Sequence, residues 1–248
     1  MKKKTLVLLL SALVFTQLFS CRKDAATDPV INAGINSEET TIVNGKKAYV
    51  MSLIKLGTGQ EDCLVNSNPA YAGINLVSNP DLAASAWTYS GTPGVARDFI
   101  KFPGISYLPA GTNVVAATLT LYGMAPGTAV ANPGGNSYYP GSPYNGSGTN
   151  ACWVKRVLGS WDESTITWNN QPATTSANQA AVAASTSQWN YSTTVNVTAL
   201  VQDIVNSGQN NGFSLQLQVE NYYRNLNFSG HRKPDPATWP KLTITYTL

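Results

Sequence analysis

Sugar recognition needs flat aromatic faces that stack on pyranose rings and planar polar groups that meet hydroxyls; an acidic sugar adds a demand for Arg, Lys or His. Outside its regular strands the chain offers three such groups: Trp87 with Tyr89, then Tyr138, Tyr139 and Tyr144, then Asn221-Tyr222-Tyr223-Arg224. The third lies shortly before Ser229-Gly230-His231-Arg232-Lys233. One loop or hairpin would therefore gather Tyr222, Tyr223, Arg224, His231 and Arg232 around a carboxylate-bearing polymer. The competing reading has Tyr222 and Tyr223 alternating in and out of a sheet, with Arg232-Lys233 a solvated turn.

The same residues bear on catalysis. A glycosidase needs two positioned carboxylates flanking the scissile bond, and several of the few acidic residues of the folded region stand in strand or turn positions without an evident partner. A serine triad would need His231, the one histidine, as its base, and no Gly-x-Ser-x-Gly elbow accompanies it. The catalytic alternative is a polysaccharide lyase: β-elimination on a uronate polymer, with Tyr222 or Tyr223 as acid or base, His231 as base, and Arg224 or Arg232 neutralising the carboxylate. The residues favour a non-catalytic binding domain over that reading, and no cofactor is expected. A single histidine and the lack of a Cys-x-x-Cys pair leave a zinc site without support. Structural calcium is a further expectation because Asp and Asn are plentiful, although no EF-hand-type loop names the ligands.

These groups sit in an exported chain. Lys2, Lys3 and Lys4 precede an apolar run from Leu6 to Phe19, a cationic flank and short apolar core that read as a signal peptide over residues 1–20. Leu18-Phe19-Ser20-Cys21 resembles a lipobox, which makes Cys21 the lipid-carrying N-terminus and the membrane a partner through that anchor. No Asp directly follows Cys21, which points to the outer membrane, with the domain facing the cell exterior. The formal charge of +3 comes entirely from the three lysines of the signal, so the chain from Cys21 onward is formally neutral. A neutral chain lacks the clustered Lys and Arg that nucleic-acid binding requires, which excludes that class. Cys63 and Cys152 remain as an even pair: either a disulfide, as an oxidising compartment permits, or two small buried thiols.

Residues 21–45 are polar with little periodicity and read as a flexible tether. The remaining residues 46–248 suit one domain. Strand patterns occur over Ala48–Leu56, Val95–Phe102, Val114–Tyr122, Cys152–Leu158, Thr165–Trp168, Gly212–Glu220 and Lys241–Leu248. In the last, Leu242, Ile244 and Tyr246 share a face opposite Thr243, Thr245 and Thr247. Val115, Ala117, Leu119 and Leu121 are expected on one face of their strand. Short strands, Gly and Pro punctuation and abundant Thr predict an all-β fold: a single β-sandwich or jelly roll. One short helix is expected from Thr198 as N-cap to Gly208 at C′, plugging one end of the sandwich. The stretch from Ala125 to Asn150 is rich in Gly, Pro, Ser, Asn and Tyr, fits no strand or helix, and reads as either a functional or a disordered insert, its tyrosines favouring a binding loop over a solvating linker.

Several segments together carry a family pattern. Arg97-Asp98-Phe99-Ile100-Lys101-Phe102, Ala117-Thr118-Leu119-Thr120-Leu121-Tyr122, and Trp161 through Pro172 with its Trp168-Asn169-Asn170-Gln171 core resemble the DNRLRE domain family. So do Val195 through Asp203, Asn211-Gly212-Phe213 and Pro240 through Tyr246. The resemblance runs from about Glu61 to Leu248 in the family's order, although the naming six-letter string is absent. It implies a β-sandwich of surface and secreted bacterial proteins, some of which bind alginate-like polymers. Read from the residues alone, Trp168 shares a face with Ile166 and belongs to a core rather than to a sugar platform, Trp161 covers a sandwich edge, and the central motif specifies folding. Polysaccharide is thus the expected partner, with an acidic, alginate-like glycan in view. The alternative from another class is a structural or adhesive subunit docking to an outer-membrane protein through its exposed aromatics.

Overall fold

The structure, a computed structural model, describes residues 35–54 and 60–248. The expected signal peptide, Cys21 and the first part of the expected tether lie outside the described residues. In chain order the strands are β1 (Ile35–Val43), β2 (Lys46–Leu53), β3 (Glu61–Asn66), β4 (Asp81–Tyr89), β5 (Thr92–Lys101), β6 (Asn113–Leu121), β7 (Cys152–Val157), β8 (Thr174–Val182), β9 (Thr193–Asn196), β10 (Phe213–Leu217), β11 (Arg224–Ser229) and β12 (Lys241–Thr247). One helix, α1 (Thr198–Ser207), joins β9 to β10. Among the described residues no helix is long and apolar enough to cross a membrane.

Two antiparallel sheets face each other, one ordered β1-β2-β12-β6-β9 and the other β11-β4-β5-β10-β7-β8, with β3 also paired to β5. The period-two patterns place Met51 and Leu53, Leu242, Ile244 and Tyr246, and Ala117, Leu119 and Leu121 inward from the first sheet. Leu82, Ile100, Val154, Leu215 and Phe228 meet them from the second. The expected β-sandwich is what forms. Leu200, Val201 and Ile204 of α1 join the same core, and Gly208 ends the helix with φ 64.

Four local expectations are corrected. The folded part begins before residue 46, because β1 occupies part of the stretch read as tether and forms a hairpin with β2 across Asn44-Gly45, a pair suited to a tight hairpin turn. In β6 a bulge opposite Thr245 and Tyr246 of β12 turns Val114 inward in place of Val115. Thr165–Trp168 is no strand: Thr165 and Ile166 N–H groups donate to the Asp162 carbonyl, and the Asn170 side chain binds Thr167 N–H and Thr165 C=O. Local side-chain bonds there win over sheet pairing. The helix N-cap is Val197, and Thr198 is already helical; its hydroxyl instead accepts the Ala117 N–H and donates to Asn196 Oδ1.

The centre of the second sheet is covered on both faces. Ile100 faces the main core, whereas Phe99 packs outward with Cys63, Val65, Val157 and Ile166, with Trp161 and Trp168 laid over them. Trp161 meets Phe99 edge-on at 5.8 Å, donates its Nε1–H to Asn211 C=O at 2.8 Å, and carries Lys101 over its ring. Trp168 lies under Arg97, 4.8 Å from its guanidinium. The central motif therefore seals the outer face of β5, as expected of a folding motif.

Cys63 and Cys152 are not bridged. They are free, buried thiols on opposite faces of the second sheet, Cys63 in the outer cluster and Cys152 in the main core. A disulfide would have to pass through the sheet, and the Cα separation that a bridge demands is out of reach across it. Burial pushes the Cys63 thiol up to about 12 and raises that of Cys152 as well.

Beyond β11 the segment Ser229–Lys233 enters a buried charge cluster. The His231 N–H donates to Asp62 Oδ2 at 2.9 Å, and its Nδ1 lies 2.7 Å from Asp62 Oδ1. Arg232 binds Asp62 Oδ1 and Glu163 Oε2, while Lys233 Nζ bridges Asp81 Oδ1 and the Thr128 carbonyl. Asp81 Oδ2 in turn accepts the N–H groups of Val130 and Ala131 at 2.5 and 2.7 Å. One cluster thus fixes the starts of β3 and β4 and the first part of the long loop between β6 and β7. Asp98 is buried alongside, where β4 parts from β5; its Oδ2 accepts the Ala83 N–H that has no strand partner there. Burial first, then the nearby Asp62 carboxylate, raises the Asp98 pKa well above the usual carboxylate range.

Two predictions follow from this packing. Cys63 and Cys152 should resist alkylation in the native protein and label only in denaturant, with the melting temperature unchanged by reductant; a cross-linked Cys63–Cys152 peptide in a non-reducing digest would contradict this. Because the native state holds the Asp98 proton more tightly than the unfolded chain does, the stability this group contributes is present below about pH 4 and is lost as pH rises through its folded value. Asp98→Asn keeps an oxygen for Ala83 N–H and removes the titration. Denaturation across a pH series should therefore show the variant gaining on the wild type as pH rises from about 4 to 8, and a constant difference would rule out ionisation of Asp98 in that range.

Candidate functional site

The β4–β5 hairpin ends on the aromatic residues that the sequence nominates first. Trp87 and Tyr89 occupy alternate positions of β4 and so leave the same face of the sheet, opposite Gly94 and Thr92 of β5. Glycine is required at 94 because a Cβ there would fall 2.8 Å from Asn66 Oδ1 and 3.1 Å from the Tyr89 ring. The Tyr89 ring crosses the bare backbone, meets Tyr71 edge-on at 6.0 Å, and brings its hydroxyl within 3.4 Å of Ser85 Oγ.

Trp87 is the hinge of a second aromatic group. Its ring meets Tyr144 at 4.8 Å and Tyr223 at 5.2 Å, both edge-on, and the two tyrosines are 6.2 Å apart. Tyr144 and Tyr223 remain 39% and 41% exposed, so this cluster forms a surface rather than a core. Residues 87, 144 and 223 come from β4, the long loop and the loop before β11, and no sequence spacing relates them.

Against these rings lies a cleft of about 530 Å³. Its floor is Leu64 and Asn66 of β3 with residues 87–90 at the end of β4; Tyr71, Leu76 and Asn79 form one wall and residues 130–133 of the long loop the other. Three asparagines set its polar character. Asn66 Oδ1 accepts Asn68 N–H, Asn79 Oδ1 accepts Asp81 N–H, and Asn132 Oδ1 accepts Gly134 N–H. Each is an Asx turn that shapes its loop and fixes the amide plane. Within the described protein each Nδ2 is left as a donor without a partner. Among the described residues, no Asp, Glu, Lys, Arg or His lines the cleft.

The long loop is irregular, as expected, yet firmly attached. It runs beside β11, an edge strand, and satisfies its outward groups: Ser137 N–H donates to Asn225 C=O, and the N–H groups of Asn225 and Asn227 donate to Ser137 Oγ and Asn136 Oδ1. The Asn225 and Asn227 side chains donate to the Gly135 and Asn132 carbonyls at 2.7 and 3.1 Å. This closes a sheet edge, places residues 130–133 at the cleft and sets Tyr144 against Trp87. Tyr138 and Tyr139 are half-buried in the loop: the Tyr138 carbonyl accepts Ser185 Oγ–H, and the Tyr139 carbonyl accepts from Asn145 Nδ2.

The expected gathering of Tyr, Arg and His does not form. β11 spans six residues, about 20 Å at strand rise, with Tyr222 and Tyr223 before it and His231 and Arg232 after it. His231 is 3% exposed and, with Arg232, is committed to the buried cluster. Arg224 is spent on the Ser147 and Val219 carbonyls. Nor are Tyr222 and Tyr223 alternating strand residues, since β10 ends at Leu217 and both lie exposed in the following loop. Arg232-Lys233 is likewise no solvated turn. The asparagines of the cleft were missed, although the Asn-x-Asn and Asn-Pro-Gly-Gly strings at 66–68 and 132–135 carry a turn signal. Among the described residues, no three of His, Cys, Asp and Glu are placed to hold a metal ion.

Among curated proteins, none is significantly similar to this chain. Residues 139–246, which supply Tyr144 and Tyr223 to the aromatic cluster but not the cleft walls, match the model of carbohydrate-binding module family 96.

Proposed function

We propose that this protein is a non-catalytic polysaccharide-binding module, held at the outer face of a bacterial outer membrane by lipid on Cys21. The observation that carries the binding reading is the exposed Trp87–Tyr144–Tyr223 cluster beside the cleft, in a chain whose residues 139–246 match a carbohydrate-binding module family. Aromatic rings held in place by edge-on contacts lose little freedom when a sugar stacks on them. The lyase alternative draws no support from the geometry, because its base, His231, is buried at the far end of β11 from Tyr222 and Tyr223. The anchor is proposed from the lipobox-like Leu18–Cys21 alone. The chain between Cys21 and Ile35 can extend at most about 50 Å, so an anchored domain would work close to the membrane surface.

Affinity electrophoresis through gels containing dissolved polysaccharides tests the binding reading. At least one polymer should retard the protein, and Trp87→Ala should weaken that retardation about ten-fold, or ~1.4 kcal/mol, with the fold intact by circular dichroism. A protein retarded by no polysaccharide but captured with a stoichiometric membrane protein would instead be a scaffold. Cys21→Ser should move the protein from the membrane fraction to the soluble fraction of expressing cells; retention in the membrane would refute lipid anchoring at that residue.

A further inference from the structure

We infer that the cleft between the β4–β5 hairpin and residues 130–133 is the sugar-binding site, and that it is built for an uncharged polysaccharide. This rests on the carbohydrate-binding reading above and narrows it to a ligand class.

The charge distribution decides against an acidic chain. A uronate polymer brings a carboxylate with each residue, and a carboxylate moved out of water without a cation loses several kcal/mol of solvation. The described residues that line the cleft supply no cation to offset this. Five cations of the second sheet and its loops are already engaged: Arg97 grips Glu220 in a bidentate pair at 2.7 and 2.9 Å, Lys101 binds Glu61, Arg224 holds backbone carbonyls, and Arg232 and Lys233 neutralise Asp62 and Asp81. Freeing any of them would strand a partner in the protein.

What the cleft does offer matches a neutral sugar. Tyr89 and Trp87 present rings two residues apart on one strand face, about 7 Å along the sheet, and Tyr71 extends the row on one side as Tyr144 and Tyr223 do on the other. Asn66, Asn79 and Asn132 face hydroxyl and ring oxygens with amide donors whose orientation their own Asx turns fix. Leu64 in the floor and Leu76 in the wall give the apolar surface that a pyranose C–H face needs. The volume falls within the roughly 300–1,000 Å³ of pockets that enclose a small ligand, and the cleft continues onto the exposed aromatic cluster, so a chain can run out of it. Its described lining lies wholly before residue 139, outside the matched segment.

The test uses the full chain in detergent, with gels containing a neutral panel (β-glucan, galactomannan, xylan) or an acidic panel (alginate, polygalacturonate), at 50 and 500 mM NaCl. At least one neutral polymer should retard the protein with little change between the two salts, since no charge pair is screened. Tyr89→Ala should cut that affinity about ten-fold. Asn79→Asp, which keeps the oxygen that Asp81 N–H needs and replaces only the amide donor, should do the same without lowering the melting temperature. Retardation by the acidic panel alone, weakening with salt, would overturn the ligand class while leaving polysaccharide binding intact. Neutral binding untouched by Tyr89→Ala and Asn79→Asp would overturn the site. Retardation by no polymer would overturn both this inference and the binding function.

Discussion

Asp62 is the residue on which the rest of the site depends. It sits at the start of β3, almost fully buried, and its carboxylate accepts the His231 backbone N–H and the Arg232 guanidinium, with the His231 ring Nδ1 2.7 Å from Oδ1. Arg232 passes the connection on to Glu163 in the central motif, and its neighbour Lys233 passes it to Asp81 and the long loop. Buried charges are tolerated only when paired and hydrogen-bonded, and removing one member leaves another uncompensated. The cluster therefore behaves as one unit that ties β3, β4, the central motif and the cleft wall together.

That commitment shapes the chemistry left at the surface. With Arg97, Lys101, Arg224, Arg232 and Lys233 spent on carboxylates and carbonyls, the described lining of the cleft is rings, amides and apolar groups. The second sheet can present them rigidly because its centre is covered twice: the main core holds Ile100 from one side, and Trp161 and Trp168 hold Phe99 from the other. Arg97 over Trp168 and Lys101 over Trp161 show how charged residues of β5 serve this outer layer through their cationic heads as well as their stems. Trp87 and Tyr89 then project from the free end of a hairpin whose base cannot shift.

The sandwich itself was legible. Alternation in Lys241–Thr247 and Asn113–Leu121 announces strands with one wet face, and the apolar stripe ending at Gly208 announces the helix. Less visible were β4 and β11. Ala-rich Asp81–Ala86 has little β-propensity, and Arg224–Ser229 reads as polar because Asn225 and Asn227 point into hydrogen bonds with the loop rather than into a core. Thr165–Trp168 misled in the other direction: two apolar residues at spacing two suggest a strand, but Asp162 and Asn170 offered the backbone closer partners.

By itself the sequence determined the layer architecture, the role of the Trp161–Pro172 motif in folding, the helix and its stop, and Trp87, Tyr144 and Tyr223 as aromatic residues outside the core. Those features follow from local periodicity, turn chemistry and residue type, which act over a few positions. Only the tertiary structure decided which of the nominated residues meet. Trp87, Tyr144 and Tyr223 converge across 136 residues because the long loop is stitched to an edge strand. Tyr223 and His231, eight positions apart, separate because an extended strand lies between them. Cys63 and Cys152 stay apart because a sheet stands between their side chains. Pairing of strands and burial of charge are long-range events, and neither leaves a mark in the spacing of the residues they bring together or divide.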